Sequence, residues 1–77
     1  MQISSPIYTS FAAVTPSDTT RVNCRAIYIG GAGNIALVTE GGDTVTLTGL
    51  PVGSWVWVRT SYVKATGTTA TNLVGFQ

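Results

Sequence analysis

The sequence predicts an all-β fold, a small antiparallel β-sandwich or barrel of about six short strands with an extended N-terminal arm. Three observations predict it. Thr, Val, Ile, Tyr and Trp fill the stretches between frequent glycines, and these are residues that suit a pleated, half-buried surface. No window carries a sustained apolar repeat of helical period. Thr44-Val45-Thr46-Leu47-Thr48 alternates apolar and polar with period two, the signature of a strand with one buried face. With 77 residues, the chain is one domain, read as an arm over 1–10 and a β domain over 11–77.

The elements follow in order. Ile3 to Ser10 reads as extended chain with Pro6 inside it. Phe11-Ala12-Ala13-Val14 is a short strand, and Thr15 to Thr20 is a loop, since Pro16, Ser17 and Asp18 favour turns. Arg25 to Ile29 is a strand with Ile27 and Ile29 on one face and Tyr28 on the other. Gly30-Gly31-Ala32-Gly33-Asn34 reads as a tight turn, with Ile35 to Thr39 as the second arm of that hairpin. Gly41-Gly42-Asp43 is a further turn. Val45 and Leu47 are expected to face the core, the threonines between them to face away. Gly49 to Gly53 connects to one long strand over Ser54 to Ala65, either continuous or broken by a bulge. That strand would put Trp55, Trp57 and Arg59 on one face and Val56 and Val58 on the other. Thr66-Gly67-Thr68-Thr69 turns the chain, its hydroxyls suited to bonding local backbone, and Ala70 to Phe76 closes the sheet.

Composition narrows the function. A domain this small buries only about 60% of its unfolded surface, and small scaffolds lean on disulfides, metals or oligomerisation. Cys24 is the single cysteine and histidine is absent, so an internal disulfide and a Cys/His zinc site are both excluded. Cys24 itself reads as a small apolar core residue. Charged residues make up 9% of the chain and the net charge is +1, against about 25% charged in typical domains. There is no basic stripe for phosphates, so direct binding to nucleic acid is not expected. The mean hydropathy is +0.32, which is high for a lone soluble domain. Much of the surface is therefore expected to be covered by neighbours, a second copy of the chain among them. The N-terminus lacks the basic start and apolar run of a secretion signal. No stretch approaches the roughly 20 apolar residues that span a bilayer. A membrane is not expected as a partner, and the expected site of synthesis and residence is the cytoplasm.

Catalytic chemistry finds little footing. The commonest general acid–base residue is missing, and a carboxylate pair could come only from Asp18, Glu40 and Asp43. Glu40 and Asp43 flank a glycine turn and read as solvated. The Gly30-to-Gly33 run lacks the following helix and Lys-Ser or Lys-Thr of a phosphate loop. No enzyme activity, cofactor or metal is expected. The informative side chains are aromatic. Trp55 and Trp57, two apart on a strand, share one face while Val56 and Val58 also want burial. Such a strand is either central between layers or covered by another subunit. Tryptophan also stacks on sugars, so a carbohydrate-binding, host-contact module stays open as an alternative. Termini stay loose unless tied down, so Ile3, Ile7 and Tyr8 in the arm, with Phe11 after it, join Trp55 and Trp57 as candidate interface residues.

Four pieces of sequence run in order from about Val14 to Phe76. They are Val14-Thr15-Pro16-Ser17-Asp18, Arg25 to Gly30 leading into Ala32-Gly33-Asn34, Gly42 to Gly53, and Val63-Lys64-Ala65-Thr66-Gly67-Thr68-Thr69-Ala70. In these the chain resembles the small head spike base proteins of alphaproteobacterial gene transfer agents and related tailed phages. It departs from them at Ser54-Trp55-Val56-Trp57, where that family is more aliphatic and often carries a proline. The resemblance implies a β-structured, non-enzymatic virion protein made in the host cytoplasm. Its implied partners are itself, as a homo-oligomer, and the major capsid protein or a spike or fibre protein. Vertex spike base, capsid decoration subunit and small tail component all remain open as its place on the particle.

Overall fold

The structure is a computed structural model that describes residues 10–77. Among these residues every regular element is a strand: β1 (Phe11–Val14), β2 (Ala26–Gly31), β3 (Gly33–Thr39), β4 (Thr44–Leu50), β5 (Trp55–Val56), β6 (Thr60–Lys64) and β7 (Thr71–Phe76). They form two antiparallel sheets, one of four strands in the order β1-β7-β2-β5 and one of three in the order β4-β3-β6. The expected small antiparallel β domain is present, as a sandwich rather than a barrel. The arm expected over residues 1–10, with Ile3, Ile7 and Tyr8, lies outside the described residues except for Ser10.

One core joins the sheets. Ile27, Ile29, Val56 and Leu73 from the four-stranded sheet meet Ile35, Leu37 and Val63 from the three-stranded one, and Cys24 and Ala70 complete the cluster. Alternation along β2 sends Ile27 and Ile29 inward and leaves Tyr28 half-buried on the outside. The Cys24 thiol is buried, and that burial pushes its pKa up, which keeps it the inert core residue expected.

Three expectations about the strands are overturned. The glycine run over 30–34 is not a hairpin turn, because β2 and β3 belong to different sheets. It is a corner at which the chain leaves one layer for the other. Gly33 has φ +155°, and a Cβ there would meet the backbone of Thr69 and Ala70 at 2.6–2.8 Å, so only glycine fits. The long strand over 54–65 is likewise two strands, β5 in one sheet and β6 in the other, with the chain changing layers at Trp57 to Arg59. Alternation continues through this second corner, from Trp55 to Arg59, so sequence period alone does not reveal that change of sheet. Finally, Val45 is exposed. It does lie on the same strand face as Leu47, but β4 is an edge strand, and only Leu47 reaches the core cluster.

The threonine-rich turn reaches far across the chain instead of bonding locally. Asn34 accepts the backbone N–H groups of Thr69 and Ala70 at its carbonyl, both at 2.9 Å. Its own N–H donates to Thr69 Oγ1 at 2.9 Å, and the Ala36 N–H donates to Thr68 Oγ1 at 2.9 Å. Thr66 donates from its backbone N–H to Asp18 Oδ1 at 3.1 Å and from its hydroxyl to Asp18 Oδ2 at 2.7 Å. The segment over 17–24 is thereby drawn alongside β6. There Ser17 N–H donates to the Val63 carbonyl, Val22 N–H to that of Ser61, and Cys24 exchanges bonds with Thr60.

Two outcomes follow. Gly33→Ala forces a side chain into backbone and should cost at least about 2 kcal/mol of stability, read as a lowered denaturant midpoint; an unchanged midpoint would contradict the corner geometry. The two Thr66 donors hold the Asp18 carboxyl below its ordinary value of 3.8. The folded state thus favours the charged form, so this contribution is intact above pH about 4 and is lost as pH falls through the lowered folded value. Denaturant midpoints measured from pH 6 to pH 2 should fall less steeply for Asp18→Ala than for the wild type, and parallel curves would refute the linkage.

Candidate functional site: the outer aromatic face

The outer face of the four-stranded sheet carries the chain's most unusual surface. In register, Phe11 on β1 stands opposite Phe76 on β7, Phe76 opposite Ala26 on β2, and Tyr28 opposite Trp55 on β5. All of these lie on the face away from Ile27 and Leu73. The rings touch in sequence across the sheet. Phe11 stacks on Phe76 with centroids 5.5 Å apart and planes 10° from parallel. Phe76 meets Trp55 at 5.0 Å, tilted by 44°. Trp55 stacks on Trp57 at 4.9 Å and 8°, and Tyr28 sits edge-on to Trp55 at 5.2 Å. Ala26, on the same face, is fully buried and yet no member of the central core. Its register partner on β7 is Phe76.

The ribbon stays open to solvent along its top. Phe11 is 69% exposed, Trp57 66% and Trp55 38%. None of β1, β2, β5 and β7 contains a carboxylate or a lysine. Asp18 is tied to Thr66, and Asp43 sits on the β3–β4 turn, where its N–H donates to Thr39 Oγ1. The surface is thus flat, aromatic and without charge on its strands. Trp55, Trp57 and Phe11 are brought together here, as the two-residue spacing of the tryptophans suggests. Phe76 and Tyr28 complete the ribbon; strand periodicity puts them on their faces but gives no sign that the two faces are one.

A cleft of about 310 Å³ lies beside β1 and is lined by Val14, Arg21, Val22 and Cys24 among others. Arg21 lies over the Tyr62 ring at 5.3 Å, and Cys24 is protonated by burial, so the cleft pairs no nucleophile with a base. Among the described residues no group of three His, Cys, Asp or Glu side chains could hold a metal ion. No helix there is long and apolar enough to cross a membrane.

With this geometry in place, comparison with solved structures is decisive. A chain from the capsid of a native gene transfer agent particle, computed with C5 symmetry, superposes with a TM-score of 0.81 and 38% sequence identity, over 92% of this chain and 84% of that one. The chain belongs to the family of that capsid protein. No family model matches it, and no curated protein does. In this capsid-protein family member, the aromatic ribbon is thus a feature of a chain whose relative is seen within an assembled shell.

The ribbon lies outside the core, which separates its loss from unfolding. Trp57→Ala removes one stacking contact and should cost at most about 1.5 kcal/mol. Ile27→Ala should cost about 2–5 kcal/mol, because it opens a cavity between the sheets. Urea titration of both variants tests this, and a Trp57→Ala protein as destabilised as Ile27→Ala would return the tryptophan to the core.

Proposed function

We propose that the chain is a structural subunit of a virus-like capsid, a head-vertex spike base or a decoration subunit, which anchors another virion protein through its aromatic face. The observation that carries this is the ribbon Phe11–Phe76–Trp55–Trp57, open to solvent on a member of a capsid-protein family. An exposed aromatic patch of this kind is costly to leave in water and marks an interaction site. Interface binding energy concentrates in such residues. The face favours a protein partner over a sugar. Glycan sites place polar groups beside the stacking ring to fix orientation, and no carboxylate lies on these strands. Ile3, Ile7 and Tyr8 precede Phe11 in the chain and are proposed to extend the same interface. The partners are further copies of the chain and the major capsid protein or a spike or fibre protein, and its place is the virion.

Particles made with Trp55→Ala or Trp57→Ala protein should carry much less of the subunit than wild-type particles, since truncating a hot spot weakens association by about 2 kcal/mol or more. Quantitative immunoblotting of purified particles and labelling of vertices by electron microscopy would show it. Wild-type occupancy in both variants would remove the ribbon from the interface. A subunit found on tails would move the protein to that location, and glycan-array binding lost in the same variants would favour the carbohydrate reading.

A further inference from the structure

The three-stranded sheet has two edges, and they are treated differently. The outer edge of β6 is covered by the segment over 17–24, through the bonds from Ser17 to Val63, from Val22 to Ser61 and between Cys24 and Thr60. Among the described residues no strand pairs with the outer edge of β4. The contacts at its two ends show which groups point out. The Asp43 carbonyl accepts from the Thr39 N–H, and the Gly49 N–H donates to Asn34 Oδ1, so odd-numbered residues of this stretch turn their backbone toward β3. In an antiparallel ladder the alternate residues, Thr44, Thr46 and Thr48, then turn theirs outward. This edge is seven residues long and has no charged residue and no proline. Free edges of that kind are normally blunted by Lys, Pro or a covering segment.

We infer that the β4 edge pairs antiparallel with β4 of a second copy of this chain, about a two-fold axis through Thr46. The sequence Thr44-Val45-Thr46-Leu47-Thr48 is symmetric in residue class about its centre, so it is complementary to itself. Thr46 would face Thr46 of the second copy, Thr44 would face Thr48, and Val45 would face Leu47. The outward groups of Thr44, Thr46 and Thr48 would make about six backbone hydrogen bonds across the axis. Val45, 42% exposed in the single chain, gains an apolar cross-strand neighbour, and the two three-stranded sheets become one of six strands. Asp43 would stand opposite Gly49, so no charge opposes a like charge. A second copy is the occupant this edge suits because the alternation of Thr44 to Thr48 matches itself in antiparallel register. The inference rests on the reading of the chain as a multi-copy subunit. It uses the sheet opposite the aromatic ribbon, so both surfaces can be occupied at once.

Sedimentation of the wild-type protein across a concentration series, with amide hydrogen exchange on the same samples, tests it. A dimer should form, and the N–H groups of Thr44, Thr46 and Thr48 should become at least tenfold more protected as it does. Thr46→Lys sets two like charges across the axis and should weaken the dimer at least tenfold, leaving the thermal melt in place. Thr46→Cys should cross-link copies under mild oxidation, and Thr48→Cys, which would face Thr44, should not. A wild-type protein that stays monomeric, or that associates without protecting those three amides, overturns the inference; association by another surface leaves the multi-copy reading intact. If Thr46→Lys fails to fold, the exchange and cross-linking results decide.

Discussion

The fold depends on one clasp, the set of hydrogen bonds that Asn34 and Ala36 make with Thr68, Thr69 and Ala70. The chain changes sheets at Gly30 to Asn34, between β2 and β3, and at 65–70, between β6 and β7, and the clasp fastens these two crossings to each other. Gly33 leaves no room for a side chain at the crossing point. The hydroxyls of Thr69 and Thr68 accept the N–H groups of Asn34 and Ala36, near the start of β3. Without Thr68 Oγ1 the partly buried N–H of Ala36 would be left unpaired, at a cost of up to about 1–3 kcal/mol. No buried side-chain nitrogen or oxygen among the described residues lacks a partner. The domain, whose single cysteine rules out an internal disulfide, is thus held by a hydrogen-bonded corner and a single shared core.

The same economy shapes the outside. A two-layer sandwich this small leaves some apolar residues outside its core, and its exposed aromatic ones, Phe11, Trp55 and Trp57, are gathered onto one face. Phe11, Phe76, Trp55, Trp57 and Tyr28 contact one another in a chain of ring pairs, and Ala26 on the same face is as buried as any core residue. Ring-to-ring contact offsets part of the cost of exposure and holds the rings in fixed relative positions. A preorganised surface loses less side-chain freedom on binding than a flexible one.

Strand identity was legible in the sequence wherever alternation was clean, as in β2 and β4, and so was the pairing of Trp55 with Trp57. The sheet to which each strand belongs was not. Gly30 to Gly33 has the composition of a hairpin turn and serves as a corner, because local residue choice is similar when a chain reverses and when it changes layer. Val45 was misplaced for a related reason. Alternation reports the face a residue occupies, not whether another strand lies over that face. The partners of Thr66, Thr68 and Thr69 lie 32 to 48 residues away in sequence, beyond anything a local pattern can show.

Residues near the two ends of the β domain meet. β1 pairs with β7, Phe11 stacks on Phe76, and Ser10 and Gln77 bond to each other through their backbones. Topologically the domain is close to a ring with one cut in it. A short linker could join Ser10 to Gln77 without moving a strand, and the glycine turn at 41–42, exposed and far from the clasp, could serve as the new opening. The cut as it stands lies at the edge of the aromatic face. Any peptide continuing from either end therefore starts beside that surface, where its length and polarity would decide whether the face is screened or left bare.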